Sequence, residues 1–228
     1  MLSLPLDFVA TGRISVVDHA VASWFHGHLT RPLVDLMLAL SNAGSPLWIA
    51  AITSISVLIL VLRKRWYGLL AIVLTVPGGM LVHHFIQIIV HRHRPFRHSD
   101  FLDLGGYSFP SGHTMAATLL YGLLAAFAIL VWKGWHWRML AVLGALLAIA
   151  LVGLSRVVLG AHYLSDVLGA IAGGISWLIL CVTIVERIRH RRLIAEAETK
   201  AMIGATEPPG SELIERRASN SRRASIVS

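Results

Sequence analysis

Along most of this chain apolar residues neither alternate nor recur once per turn; they fill long, nearly unbroken stretches. Four such stretches cover residues 66–90, 114–132, 137–154 and 163–185, each near the ~20 residues that a helix needs to cross the hydrocarbon of a bilayer. A fifth, 47–62, is slightly short, but Ser45-Pro46 precedes it and Arg63-Lys64-Arg65 follows it, a helix start and a membrane boundary. Residues 14–40 differ, because Asp18, His19, His26, His28, Arg31, Pro32 and Asp35 interrupt the apolar run. That region reads as an interfacial helix plus a tilted or broken span. The pattern predicts an all-α, polytopic membrane helix bundle of five to six transmembrane helices.

Composition agrees and narrows the class. Of 228 residues, 56% are hydrophobic and 14% charged, and the mean hydropathy is +0.70, which excludes an ordinary soluble domain and a disordered chain. Beyond Glu186 the composition changes to Arg, Glu, Ser and Ala with Pro208-Pro209-Gly210. This predicts one membrane domain over 9–187 and a flexible basic tail over 188–228. Within the tail, Arg216-Arg217-Ala218-Ser219 is echoed by Arg222-Arg223-Ala224-Ser225, either a kinase target or a plain basic low-complexity end. The single cysteine, Cys181, allows no intramolecular disulfide.

The net charge of +8 points to anionic headgroups and cytoplasmic loops rather than to nucleic acid. Arg63-Lys64-Arg65, Lys133 with Arg138, and Arg187, Arg189, Arg191 and Arg192 fall at every second turn of the chain. Those turns, and the tail, are expected in the cytosol of a cell-membrane protein. Turns 91–113 and 155–163 are then expected together on the extracytoplasmic face, where Arg92, Arg94 and Arg97 run against the charge bias.

Three polar clusters belong to those turns. Asp166 is the only acidic residue between Asp103 and Glu186, and Arg156 the only Lys or Arg between Arg138 and Arg187; ionisable groups so isolated in apolar surroundings are usually functional. His162 lies four residues before Asp166, so a helix begun by then would stack the two, as an oriented nucleophile or base or as a mutually satisfied pair. Pro110-Ser111-Gly112-His113 precedes an apolar helix, offering either a cap hydroxyl and free N–H groups for an anion, with His113 beside it as an acid, or an ordinary cap. On a helix His84, Gln87, His91 and Arg94 share one face. That face is a donor row, a solvated basic helix end or, less in keeping with the nearby arginines, a metal site. Taken together, two arginines, a helix N-terminus and two histidines, one backed by an aspartate, suit phosphoryl transfer.

These residues resemble the motifs of the type 2 phosphatidic acid phosphatase superfamily, which is related to the vanadium haloperoxidases. Its Pro-Ser-Gly-His is met by Pro110 to His113, and its Ser-Arg-x5-His-x3-Asp by Ser155, Arg156, His162 and Asp166. Its Lys-x6-Arg-Pro is met by Arg94-Pro95, with Gln87 in place of the lysine. The resemblance, carried by residues 9–166, implies a six-helix phosphatase core and a metal-independent membrane lipid phosphatase without cofactor. It implies that His162 attacks phosphorus to form a phosphohistidine, Asp166 orients it and His113 protonates the leaving group. Arg94, Arg156, Ser111 and Gly112 hold the phosphate oxygens, with Gln87 as a neutral donor. His91, one turn along, is expected to replace the missing charge. The expected partners are the bilayer and a lipid phosphate, with undecaprenyl diphosphate the first choice and phosphatidylglycerol phosphate, phosphatidate and lipid A phosphate behind it. The competing functions are a phospholipid-binding membrane protein weakened in catalysis by Gln87 and a lipid phosphotransferase.

Overall fold

The computed structural model of the chain describes residues 13–95, 98–99, 102–103 and 106–206. Helices α1 (Arg13–Gly27), α2 (Arg31–Asn42), α3 (Pro46–Leu62) and α4 (Trp66–Val90) come first. A two-residue ladder pairs β1 (His98–Ser99) antiparallel with β2 (Leu102–Asp103), and α5 (Gly112–Val131), α6 (Trp135–Val158) and α7 (Leu164–Thr206) follow. Five helical runs are long and apolar enough to cross a membrane. They are Arg31–Leu62, in which α2 leads into α3, then α4, α5, α6 and the Leu164–Met202 part of α7.

The polar interruptions in 14–40 have a clear effect. α1 has 15 residues and α2 has 12, about 22 and 18 Å of helix, so neither alone covers ~30 Å of hydrocarbon. α3 starts cleanly because Pro46 takes the first helical position, where its missing N–H costs nothing, and the Ser45 hydroxyl accepts a bond from the Trp48 amide at 3.3 Å.

α5 is the centre of the bundle. Its Met115, Leu119, Leu120 and Leu123 are enclosed by Ile49 of α3, Ala71, Ile72 and Val76 of α4, and Ala170 and Val185 of α7. Helices around it turn large apolar residues outward, among them Leu58, Leu81, Phe85, Ile89, Leu147 and Ile179, as lipid contact requires. Gly79 lets α4 and α5 close: a Cβ there would stand 2.5 Å from Leu119 Cδ1 and 2.9 Å from Trp177 Cδ1.

The chain divides between Val185 and Glu186 into two compact units. Residues 188–206, where composition predicted a flexible tail, continue α7 as helix, since Arg, Leu, Ala, Glu and Lys are all strong helix formers. Arg189 lies 3.5 Å from Glu186, one turn earlier. Arg97 and both Arg-Arg-Ala-Ser strings lie outside the described residues. At one end of the first unit α4 ends, α5 begins, α6 ends and α7 begins. The turns at the opposite ends of these helices expose Arg63, Lys64, Arg65 and Lys133.

Candidate active site

His162 lies two residues before α7, in a turn where Gly160 takes a φ of +68°. Asp166 is the third residue of that helix, and its Oδ2 accepts the Tyr163 amide at 2.8 Å, capping its own helix from within. The same carboxylate accepts from the Ser108 hydroxyl and, at 2.5 Å, from Arg92 Nη1. His162 Nδ1 is 3.8 Å from Asp166 Oδ2 but 2.7 Å from the Ser108 carbonyl oxygen. The pair therefore does not stack along one helix face as the spacing suggested, because the helix starts only after His162.

A carbonyl oxygen can only accept, so Nδ1 carries the hydrogen and Nε2 is left with its lone pair. Nε2 meets Arg94 Nη1 at 3.2 Å. Burial pushes the His162 imidazole below its ordinary value; Asp166 opposes this, while Arg94 and Arg156 push it further down. The ring is thus held neutral near pH 7 in the tautomer that a nitrogen nucleophile needs.

The cations converge from different elements. After Val90 the helix stops at His91, whose left-handed φ of +50° turns the chain, and Arg94 two residues beyond Arg92 donates to the Ala161 carbonyl at 3.0 Å as well as to His162. Burial lowers the pKa of Arg94, against the pull of Asp166. Arg156, in the last turn of α6, donates Nη1 to Ser41 Oγ of α2 at 2.8 Å, and its Nε is buried with no hydrogen-bond partner. Such an atom suits an anion's oxygen. Ser111 stands at the N-cap of α5, yet its hydroxyl bonds Thr114 Oγ1 at 3.0 Å and caps no backbone amide. The expected cap bond is absent, which leaves the first-turn N–H groups available to an anion.

A cavity of about 660 Å³ joins most of these groups, with Asp166 and Ser111 buried behind its lining. His83, Gln87, Arg94, Gly112, His113, Arg156 and His162 line its polar part, and Ile49, Ala50 and Val76, Pro77, Met80 of α3 and α4 its apolar part. The donor row read from the sequence is only partly right. His83, not His84, shares the cavity wall with Gln87, since the two are one turn apart and the helix ends before Arg94. His84 is exposed. Gln87 Nε2 donates to the Tyr107 carbonyl at 3.1 Å. His91 is exposed with its ring against Tyr107, centroids 4.4 Å apart, and lies outside the cavity lining, not beside Gln87 on its wall as the helical spacing suggested.

Sequence reasoning missed three participants. Arg92 bridges Asp166 and Asp18, its Nη2 lying 2.7 Å from Asp18 Oδ2, and its guanidinium covers the Tyr163 ring at 4.5 Å. Burial works against the charge of Arg92, yet the two aspartates hold its pKa above the ordinary value. Ser108 supplies both a hydroxyl to Asp166 and a carbonyl to His162.

The motifs that bear these residues sit within a wider match. The sequence profile of the PAP2 superfamily matches residues 66–190, more than half of the chain and all of the cavity's α4, α5 and α6 walls. The chain belongs to the PAP2 superfamily. A curated relative, phosphatidylglycerophosphatase B of Bacillus subtilis, is 35% identical over 135 residues, 57% of this chain and 64% of that protein. The match thus spans slightly under two thirds of the relative's length. The crystal structure of a transmembrane PAP2-type phosphatidylglycerolphosphate phosphatase from Bacillus subtilis superimposes with a TM-score of 0.70 at 25% identity, covering 81% of this chain and 92% of that one. LpxE of Aquifex aeolicus shares the fold, with a TM-score of 0.56 at 16% identity over 72% of this chain and 93% of its own. This PAP2 protein is accordingly a multi-pass membrane protein.

Proposed function

We propose that this PAP2 protein is a phosphatase that hydrolyses a phosphomonoester or diphosphate of a membrane lipid through a phosphohistidine at His162. The observation that carries the reading is the ring setting of His162: Nδ1 anchored 2.7 Å from the Ser108 carbonyl and Nε2 presented beside Arg94. The Nε2 lone pair attacks phosphorus, the bond from phosphorus to the leaving oxygen breaks, and His113 gives that oxygen its proton. His113 then takes a proton from water, which attacks phosphorus, breaks the P–N bond and frees inorganic phosphate. Arg94, Arg156 and the first free backbone N–H groups of α5, at Gly112 and His113, carry the charge on the equatorial oxygens, whereas the Ser111 N–H, expected to share this task, is taken by the Asp166 carbonyl at 3.2 Å. Asp166 holds the segment that bears His162 and offsets the positive charge on the ring. No metal is required by this scheme.

The apolar part of the cavity, between α3 and α4, suits an acyl or isoprenyl chain. Phosphatidylglycerol phosphate is the first substrate to test, on the likeness to the Bacillus subtilis protein, and undecaprenyl diphosphate, favoured by the sequence reading, is the second. The exposed Arg63, Lys64, Arg65 and Lys133 at the opposite end favour a cytosolic location for that end and for the C-terminal tail, with the site on the extracytoplasmic face.

The test is phosphate release by detergent-purified protein in EDTA from phosphatidylglycerol phosphate, undecaprenyl diphosphate and phosphatidate. Release that His162→Ala abolishes is the expected outcome. Folded wild-type protein that releases none from any of them overturns the reading in favour of a phospholipid-binding role.

A further inference from the structure

α1 contributes no residue to the cavity lining, and most of its side chains are exposed. Its Asp18 nevertheless is 2% exposed, and the carboxylate is fully engaged with the segment that leads into α7. Oδ1 accepts the Ser165 amide at 3.0 Å, and Oδ2 accepts the Ser165 hydroxyl at 2.5 Å and Arg92 Nη2 at 2.7 Å. Arg92 in turn donates Nη1 to Ser165 Oγ at 2.6 Å and to Asp166. A buried carboxylate is not placed at a helix surface without cause, since desolvating it is costly unless charge and hydrogen bonds compensate. Here the compensation comes from Ser165, three residues beyond the proposed nucleophile, and from Arg92, which also holds Asp166.

We infer that Asp18 and Arg92 are positioning residues of the phosphoryl-transfer site, and that α1 is latched onto the start of α7 so as to fix the His162–Asp166 segment. The inference rests on the reading of His162 as nucleophile. Two carboxylates, one from each helix, grip a single guanidinium, and the planar fork of Arg92 sets the distance between them. Ser165 is held by Asp18 and Arg92 together, donating to the first and accepting from the second. Tyr163, under the guanidinium of Arg92 at 4.5 Å, also has the His19 ring of α1 against it, with centroids 5.1 Å apart. Apart from Arg92, what meets α1 at this point, Tyr163 and Ser165, lies within four residues of His162, and none of these residues lines the cavity. Loss of the latch should leave substrate affinity in place and slow the chemical step, because a misplaced nucleophile loses near-attack geometry while the phosphate and lipid contacts persist.

The experiment is steady-state kinetics with a lipid phosphate substrate, together with hydrogen–deuterium exchange of peptides covering residues 160–167, on the full-length protein. Asp18→Ala and Arg92→Gln should each lower kcat by about tenfold to a hundredfold with KM within about twofold, and both should quicken exchange in that segment. Asp18→Asn, which keeps one acceptor, and Arg92→Lys, which keeps the charge but not the fork, should fall between wild type and those variants, and they keep the test usable if the larger truncations do not fold. Asp35→Asn, an exposed carboxylate on α2, should match wild type. A kcat within twofold of wild type in Asp18→Ala and Arg92→Gln, a fall matched by a rise in KM, or unchanged exchange would each overturn the inference. A wild-type protein that releases no phosphate, but whose 160–167 segment still loosens in the variants, would sink the phosphatase reading and leave the latch standing.

Discussion

The two ends of the helix bundle carry cations in similar number and use them in opposite ways. At the turn between α3 and α4, Arg63, Lys64 and Arg65 follow one another in the exposed chain. At the other end Arg92, Arg94 and Arg156 come from separate segments, and each is tied to named partners: two aspartates, a histidine with a carbonyl, and a serine. Local charge density therefore does not mark the site. What marks it is the withdrawal of guanidinium groups from water onto fixed partners, with Arg94 and Arg156 lining one cavity where a phosphate charge interacts strongly.

The sharpest way to break this contrast is to remove one cation from each end. Arg94→Ala or Arg156→Ala should lower kcat/KM by about 10²–10³-fold, the usual cost of losing a donor to developing charge, whereas Arg63→Ala or Arg65→Ala should change it by less than about twofold; comparable losses at both ends would refute the distinction. A smaller effect is expected at Gly44, on the lip of the cavity. A Cβ there would lie 2.6 Å from Val152 Cγ1 and 2.9 Å from the His113 carbonyl oxygen, so Gly44→Ala should destabilise the protein by about 1–3 kcal/mol. A thermal unfolding midpoint equal to that of wild type would show that the wall yields more readily than its packing implies.

Restoring a cation at the site end should act the other way. Gln87→Lys places an ammonium on the cavity wall, and phosphate turnover should rise by up to about tenfold. His91→Ala, one turn further on but outside the cavity, should alter it by less than about twofold, and a larger loss would return His91 to the site. The pH profile gives the finest resolution. The nucleophile must be deprotonated, and its imidazole is pushed below the ordinary 6.5 by burial first, so activity should persist as pH falls below 6.5. The midpoint of the acid limb should lie under that value, and a midpoint at or above it would mean that Asp166 outweighs burial and the two arginines.

Much of this arrangement was legible in the sequence because it depends on local spacing. The apolar stretches gave the spans, and His113, Arg94, Arg156, His162 and Asp166 were identifiable from short strings. What could not be read follows from the same cause. Asp18 is separated from Ser165 by well over a hundred residues, and in sequence it looks like one more polar interruption of a doubtful span. Arg92 sits in a run where every second residue is basic, and only the bend at His91 decides which arginine meets which partner. Ser108 acts partly through its backbone carbonyl, a group that every residue has. The choice between His83 and His84 required knowing that α4 ends at Val90 and not beyond.

The cavity described above has a charged head and a hydrocarbon-like flank, so a reaction run in it begins with one molecule suited to both and ends with two, each suited to one. Inorganic phosphate has no affinity for the wall formed by Ile49, Val76 and Met80, and a dephosphorylated lipid has little left to offer Arg94 and Arg156. The partition of the products between water and bilayer would itself draw the proposed hydrolysis forward.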